Sequence, residues 1–93
     1  MAADAVVDAS ASVSHSVLMH GARVGAGATV SGSVLLPGSV VDEGAVVVDA
    51  IVGPGSEVGP GARLQGSTVL GDEVVVEAGA VLDGAVRPER DDS

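Results

Sequence analysis

Residues 52–64 read VGPGSEVGPGARL. Gly53, Gly55 and Gly59 imitate the spacing of a phosphate-binding loop, but such a loop follows a strand and opens a helix whose N-terminal amides converge on the anion. Here the flanks continue the pattern of the stretch itself. Val52, Val58 and Leu64 recur every six residues, and Ser56 and Ala62 each stand four residues after an aliphatic, preceded by Gly55 and Gly61. Pro54 and Pro60 stiffen turns where no ladder donor is required. The stretch reads as one turn of a repeating scaffold.

The period extends along the chain. Aliphatic residues stand at Val7 and Val13; Leu18, Val24 and Val30; Leu35, Val41 and Val47; Val52, Val58 and Leu64; and Leu70, Val76 and Leu82. Most steps are six residues, and one step in each of the first three junctions is five. The triplets Ser16-Val17-Leu18, Ser33-Val34-Leu35, Ala50-Ile51-Val52 and Thr68-Val69-Leu70 are 17, 17 and 18 residues apart, one three-sided coil each. A small residue recurs four positions after the aliphatic one, at Ala22, Ala28, Ser39, Ala45, Ser56, Ala62 and Ala80, usually after glycine.

A triangular coil requires this arrangement. Each face is a short strand whose aliphatic side chain points into a narrow interior and stacks on its counterparts above and below. A small residue fits the neighbouring inward position, glycine supplies turns with positive φ, and valine suits the extended segments. Adjacent coils then pair as parallel strands. A helix is excluded because a period of six does not match 3.6 and glycine is too frequent. A disordered linker would lack both the aliphatic content and the register.

Composition narrows the function. The 93 residues suffice for one domain. Twenty valines and no Phe, Trp or Tyr predict a thin aliphatic core. Thirteen acids against four arginines and no lysine give a net charge of −9, which argues against nucleic acid and anionic membrane as partners. With no cysteine there is no disulfide or thiolate metal site. No apolar run approaches a membrane span, and MAADAVVDAS lacks the marks of a signal peptide, so a cytoplasmic location is expected. Counting back six from Val7 reaches Met1, with Ala5 on a small position, so the chain is expected to begin inside a coil, as a module separated from a larger protein would.

The pattern [LIV]-x-x-G-[AS]-x over about residues 1–86 resembles the hexapeptide repeat of left-handed parallel β-helices. The resemblance implies an all-β, single-stranded solenoid of a little over four triangular coils; the residues RPERDDS at 87–93 read as a polar tail after it. The left hand is implied by the resemblance, since general rules for parallel crossovers favour the right. HSVLMHGARVGAGATV and GSVLLPGSVVDEGAVV, with their five-residue step, resemble the C-terminal domain of sugar-1-phosphate nucleotidyltransferases, especially mannose-1-phosphate guanylyltransferases and glucose-1-phosphate adenylyltransferases. In that family an N-terminal domain with a G-x-G-T-R-type loop, acidic metal ligands and a sugar-phosphate lysine performs catalysis. This chain contains no such loop and no lysine, so the resemblance carries over no catalytic residue and no cofactor. It implies packing against a catalytic domain, subunit association and, in the adenylyltransferase branch, a part in an effector site.

Other chemistry rests on few residues. His15, in a five-residue step, and His20, two residues after Leu18, are the only histidines, and histidine is the usual general base of hexapeptide acyltransferases. A small trimeric acyltransferase is therefore the second reading, although such an enzyme usually shows an extruded loop and a C-terminal helix and this sequence runs through its coils with no insertion; a stand-alone scaffold is the third. The three-histidine zinc site of γ-class carbonic anhydrases is not supplied by two histidines, and an ice-binding face would need more than Thr29 and Thr68. Asp8, Asp42, Glu77 and Asp83 follow stacking residues and read as a solvated face; the adjacent pairs Asp42-Glu43 and Asp72-Glu73 have the form of a general acid and base or a magnesium site, but turn and surface acids that keep a valine-rich solenoid soluble explain them better. Arg23 and Arg63 occupy the last position of their hexads and are expected at corresponding corners of different coils, a placement that could meet an anion, with a surface role the better reading.

Overall fold

In the computed structural model, which describes residues 5–84 and the strand Val86–Arg87, every regular element is a strand. The strands are β1 (Val6–Val7), β2 (Ser12–Ser14), β3 (Val17–Leu18), β4 (Arg23–Val24), β5 (Thr29–Ser31), β6 (Val34–Leu35), β7 (Val40–Val41) and β8 (Val46–Val48). They continue as β9 (Ile51–Val52), β10 (Glu57–Val58), β11 (Arg63–Gln65), β12 (Val69–Leu70), β13 (Val75–Val76), β14 (Val81–Asp83) and β15 (Val86–Arg87). Every third strand joins the same parallel sheet, giving three five-stranded faces. Face A holds β1, β4, β7, β10 and β13, face B holds β2, β5, β8, β11 and β14, and face C holds β3, β6, β9, β12 and β15. Strands this short satisfy their backbone groups only through the coils above and below, so the solenoid is stabilised cooperatively along its axis.

The registers align one inward residue per strand. Val7, Val24, Val41, Val58 and Val76 form the column of face A. Val13, Val30, Val47, Leu64 and Leu82 form that of face B. Leu18, Leu35, Val52 and Leu70 form that of face C. From Val30 to Leu64 these residues are fully buried, whereas Leu82 is 9% exposed and Val7 and Val13 are only partly covered. The core is tightest in the middle coils and opens towards the ends.

Corners between faces carry the strain. Gly55 and Gly61 in the 52–64 stretch both have φ of +69°, a region that costs other residues about 1–2 kcal/mol. Glu73 adopts φ of +56° at the position equivalent to Gly55 one coil on. At the corner between faces B and C, His15, Gly32 and Asp49 each turn the chain as single residues with positive φ. In the fourth coil Gly66 and Ser67 both do so, with φ of +65° and +67°. This is where the 18-residue coil accommodates its extra residue.

Hydroxyl groups in the small inward positions join coils. Ser16 Oγ donates to the Ser14 carbonyl (2.8 Å) and accepts from the Ser33 amide (3.1 Å). Ser33 Oγ repeats this one coil on, donating to the Ser31 carbonyl (2.9 Å) and accepting from the Ala50 amide (3.1 Å). In the face A column, the turn amides of Ala22, Ser39 and Ser56 reach the carbonyls of Met19, Leu36 and Gly53 directly, at 3.0 to 3.1 Å. At the next turn the Ser56 hydroxyl bridges the equivalent groups, donating to the Gly71 carbonyl (2.6 Å) and accepting from the Val74 amide (2.9 Å). Ser39 Oγ, one coil earlier, is buried with no partner.

These two serines should respond oppositely to alanine. Ser56→Ala leaves an amide and a carbonyl unpaired and is expected to cost about 1–3 kcal/mol, whereas Ser39→Ala removes an unpaired hydroxyl and is expected to stabilise by up to about 1 kcal/mol. Urea denaturation followed by far-ultraviolet circular dichroism would measure both. Equal losses would show that the hydroxyls are interchangeable.

Candidate functional site

His15 and His20 flank strand β3, one at each corner of face C in the first coil, and both side chains are exposed. The His20 carbonyl accepts the Gly38 amide (2.9 Å), which fixes its backbone in the corner ladder. The fold thus sets the two imidazoles on opposite edges of the face rather than in one cluster. Among the described residues, no group of three His, Asp or Glu side chains is arranged to hold a metal ion. No helix of the described residues is long and apolar enough to cross a membrane.

The acids are distributed by the coil period. Asp8 and Glu77 are exposed just after strands of face A, and Asp83 faces outward from β14 on face B. The Ser10 amide (2.9 Å) and hydroxyl (2.8 Å) both donate to Asp8 Oδ1, which lowers the Asp8 pKa below the ordinary carboxylate value. Asp42 meets Glu57 of the next coil instead of acting with its chain neighbour Glu43. A side-chain hydrogen bond to Asp42, and then the Asp42 charge, raise the Glu57 pKa. An acid whose folded pKa is raised favours the folded state below its unfolded pKa of about 4.5 and loses that contribution as pH rises through the folded value. The closeness of Glu57 to Asp42 therefore opposes folding as Glu57 ionises. The sequence signal was a separation two short of the 17-residue coil.

Arg23 and Arg63 do not occupy corresponding positions. Arg23 is in register with Val6 and Val40 on face A, whereas Arg63 is in register with Val46 and Val81 on face B. They stand about two and one-third coils apart, so the fraction of a turn carries them to different faces. No shared anion site results.

The outward residues distinguish the faces. Face A presents Val6, Arg23, Val40, Glu57 and Val75, and face B mixes Ser12, Thr29, Val46, Arg63 and Val81 with Ser14, Ser31, Val48, Gln65 and Asp83. Face C instead presents an unbroken ladder of Val17, Val34, Ile51 and Val69. Val17 is 50% and Ile51 41% exposed. A groove of about 450 Å³ runs beside the ladder, lined by Val34, Ile51 and Val69 and, from the adjoining corner, by Gly32, Asp49 and Ser67. The sequence held the signal for this face. It lies in the middle residue of the four triplets that define the coil period, which is aliphatic in every case.

The family model described as GMPPB C-terminal domain matches residues 1–90. No curated protein matches the chain. Among solved structures, the acetyltransferase domain of PglB from Neisseria gonorrhoeae FA1090 is 27% identical with a TM-score of 0.58, the match covering 92% of this chain and 49% of that one. The same domain in complex with acetyl coenzyme A is 25% identical with a TM-score of 0.60, covering 87% of this chain and 49% of that one. The chain thus spans about half the length of these structural relatives.

Proposed function

The chain belongs to the GMPPB C-terminal domain family, and from that premise we propose that it is a non-catalytic left-handed β-helix module of the sugar-phosphate nucleotidyltransferase type, serving domain packing, oligomerisation and effector response. The observation that carries the reading is the aliphatic ladder of face C. Single exposed apolar residues are ordinary, but a continuous apolar strip on one face, beside two faces interrupted by charge, is the form of a protein contact. The acid pair Asp42–Glu57 lies against face A, away from this ladder, whose own outward positions hold no carboxylate. The rigid prism then acts by holding the strip flat.

The likeness to acetyltransferase domains supports a second reading, a hexapeptide acyltransferase using His20 or His15 as base. The two readings differ in what they bind. Mixed with the catalytic domain of a sugar-1-phosphate nucleotidyltransferase lacking its own β-helix, the chain is expected to form a complex in size-exclusion chromatography that Ile51→Glu abolishes. Titration with acetyl coenzyme A is expected to give no heat of binding. Binding and turnover of acetyl coenzyme A that disappear in His20→Ala, without complex formation, would overturn the first reading and establish the second.

A further inference from the structure

The apolar strip of face C leaves its occupant open, and the charge distribution along the prism supplies a choice. In residues 5–41 Asp8 and Arg23 cancel, whereas residues 42–84 carry eight carboxylates against Arg63, a net of −7. The molecule is electrically polar along its axis. Two copies packed face to face in the same direction would lay one acidic half against the other, while opposite directions lay each acidic half against a neutral one.

The ladder is also suited to reversal. Its four described residues read Val17, Val34, Ile51, Val69, with similar β-branched side chains at both ends and in the middle. Turned end for end about an axis between Val34 and Ile51, Val17 of one copy meets Val69 of the other, and Val34 meets Ile51. The rims also match. His20 faces the Asp72-Glu73 corner of the second copy, where an imidazole N–H meets carboxylate acceptors, and Asp49 faces Gly32 instead of another acid.

We propose that face C is the interface of an antiparallel two-fold dimer of this chain. The inference rests on the association reading above and names its partner. A closed two-fold arrangement uses the same strip on both copies, so it leaves no exposed ladder to recruit further chains. Five strands make a face roughly 20 Å long, and pairing two such faces removes on the order of 1,000 Å² in total, the low end for a specific interface. The dimer is accordingly a weak one that forms as concentration rises.

The absence of cysteine makes orientation directly measurable with single-cysteine variants. Sedimentation equilibrium of the full chain is expected to show a monomer–dimer equilibrium, weakened at least about tenfold by Ile51→Glu, a change at an exposed position that leaves the circular dichroism spectrum intact. Val17→Cys mixed with Val69→Cys should give a crossed disulfide under mild oxidation in preference to Val17–Val17 and Val69–Val69 products. A strictly monomeric chain, a dimer indifferent to Ile51→Glu, or a preference for like-with-like disulfides would each overturn the proposal. If the chain is monomeric yet still binds a nucleotidyltransferase catalytic domain through Ile51, the association module stands and only the self-pairing falls.

Discussion

Leu35→Ala is expected to destabilise the chain by about 3–4 kcal/mol, the upper-middle of the range for emptying a fully buried leucine site. Leu35 is 0% exposed and stands in register between Leu18 and Val52 in the face C column. Backbone ladders to the coils on both sides limit how far the wall can move inward, so most of the cavity should persist. A chain of 93 residues is expected to have roughly 5–14 kcal/mol in all, so one methyl-rich side chain represents a large share. Leu82, 9% exposed and near the end of its column, should lose only about 1–2 kcal/mol on the same change, because its site is already open on one side. The measurement is urea denaturation by far-ultraviolet circular dichroism, since the chain has no tryptophan or tyrosine to report by fluorescence. Equal losses at the two sites would show that packing does not tighten towards the middle coils.

The contrast between Leu35 and Leu82 marks what the sequence could disclose. Period fixes register, so the aliphatic at every fifth or sixth position was enough to predict three faces, parallel pairing and glycine turns. Fold was legible because a solenoid repeats one local solution, and each repeat confirms the others. Contacts between particular side chains in neighbouring coils were harder to read. Ser39 and Ser56 occupy equivalent positions and look alike in the repeat, yet only Ser56 finds a carbonyl and an amide, because the following turn at Gly71–Val74 uses its hydroxyl as a bridge. Arg23 and Arg63 shared a place in the hexad but not a face, since a hexad is one third of a coil. The candidate interaction face required asking what the non-stacking residue of each triplet does, a question the stacking pattern itself does not raise.

Gly53→Ala is the second large effect, and it concerns the stretch VGPGSEVGPGARL once more. Gly53 lacks the positive φ of Gly55 and Gly61, so alanine is locally acceptable there and a reading based on turns alone predicts little cost. A Cβ at Gly53 would nevertheless collide with the carbonyl groups of Gly71 and Leu70 in the next coil. These atoms are backbone and cannot rotate aside, so relief requires the third and fourth coils to separate where Val52 pairs with Leu70. The expected loss is about 3 kcal/mol or more, beyond ordinary overpacking because ladder bonds are strained along with the side-chain contact. Gly27→Ala is the control, since its φ of +67° is unfavourable to alanine but its Cβ would meet nothing within 4 Å. It should cost only about 1 kcal/mol. Gly59 repeats the Gly53 situation, its added Cβ falling 2.5 Å from the Val76 carbonyl oxygen. The glycines that imitated a phosphate loop therefore divide by cause, Gly55 for a left-handed turn and Gly53 and Gly59 for close passage of one coil over the next. If Gly53→Ala proved as mild as Gly27→Ala, the coils would be less closely packed than this division requires.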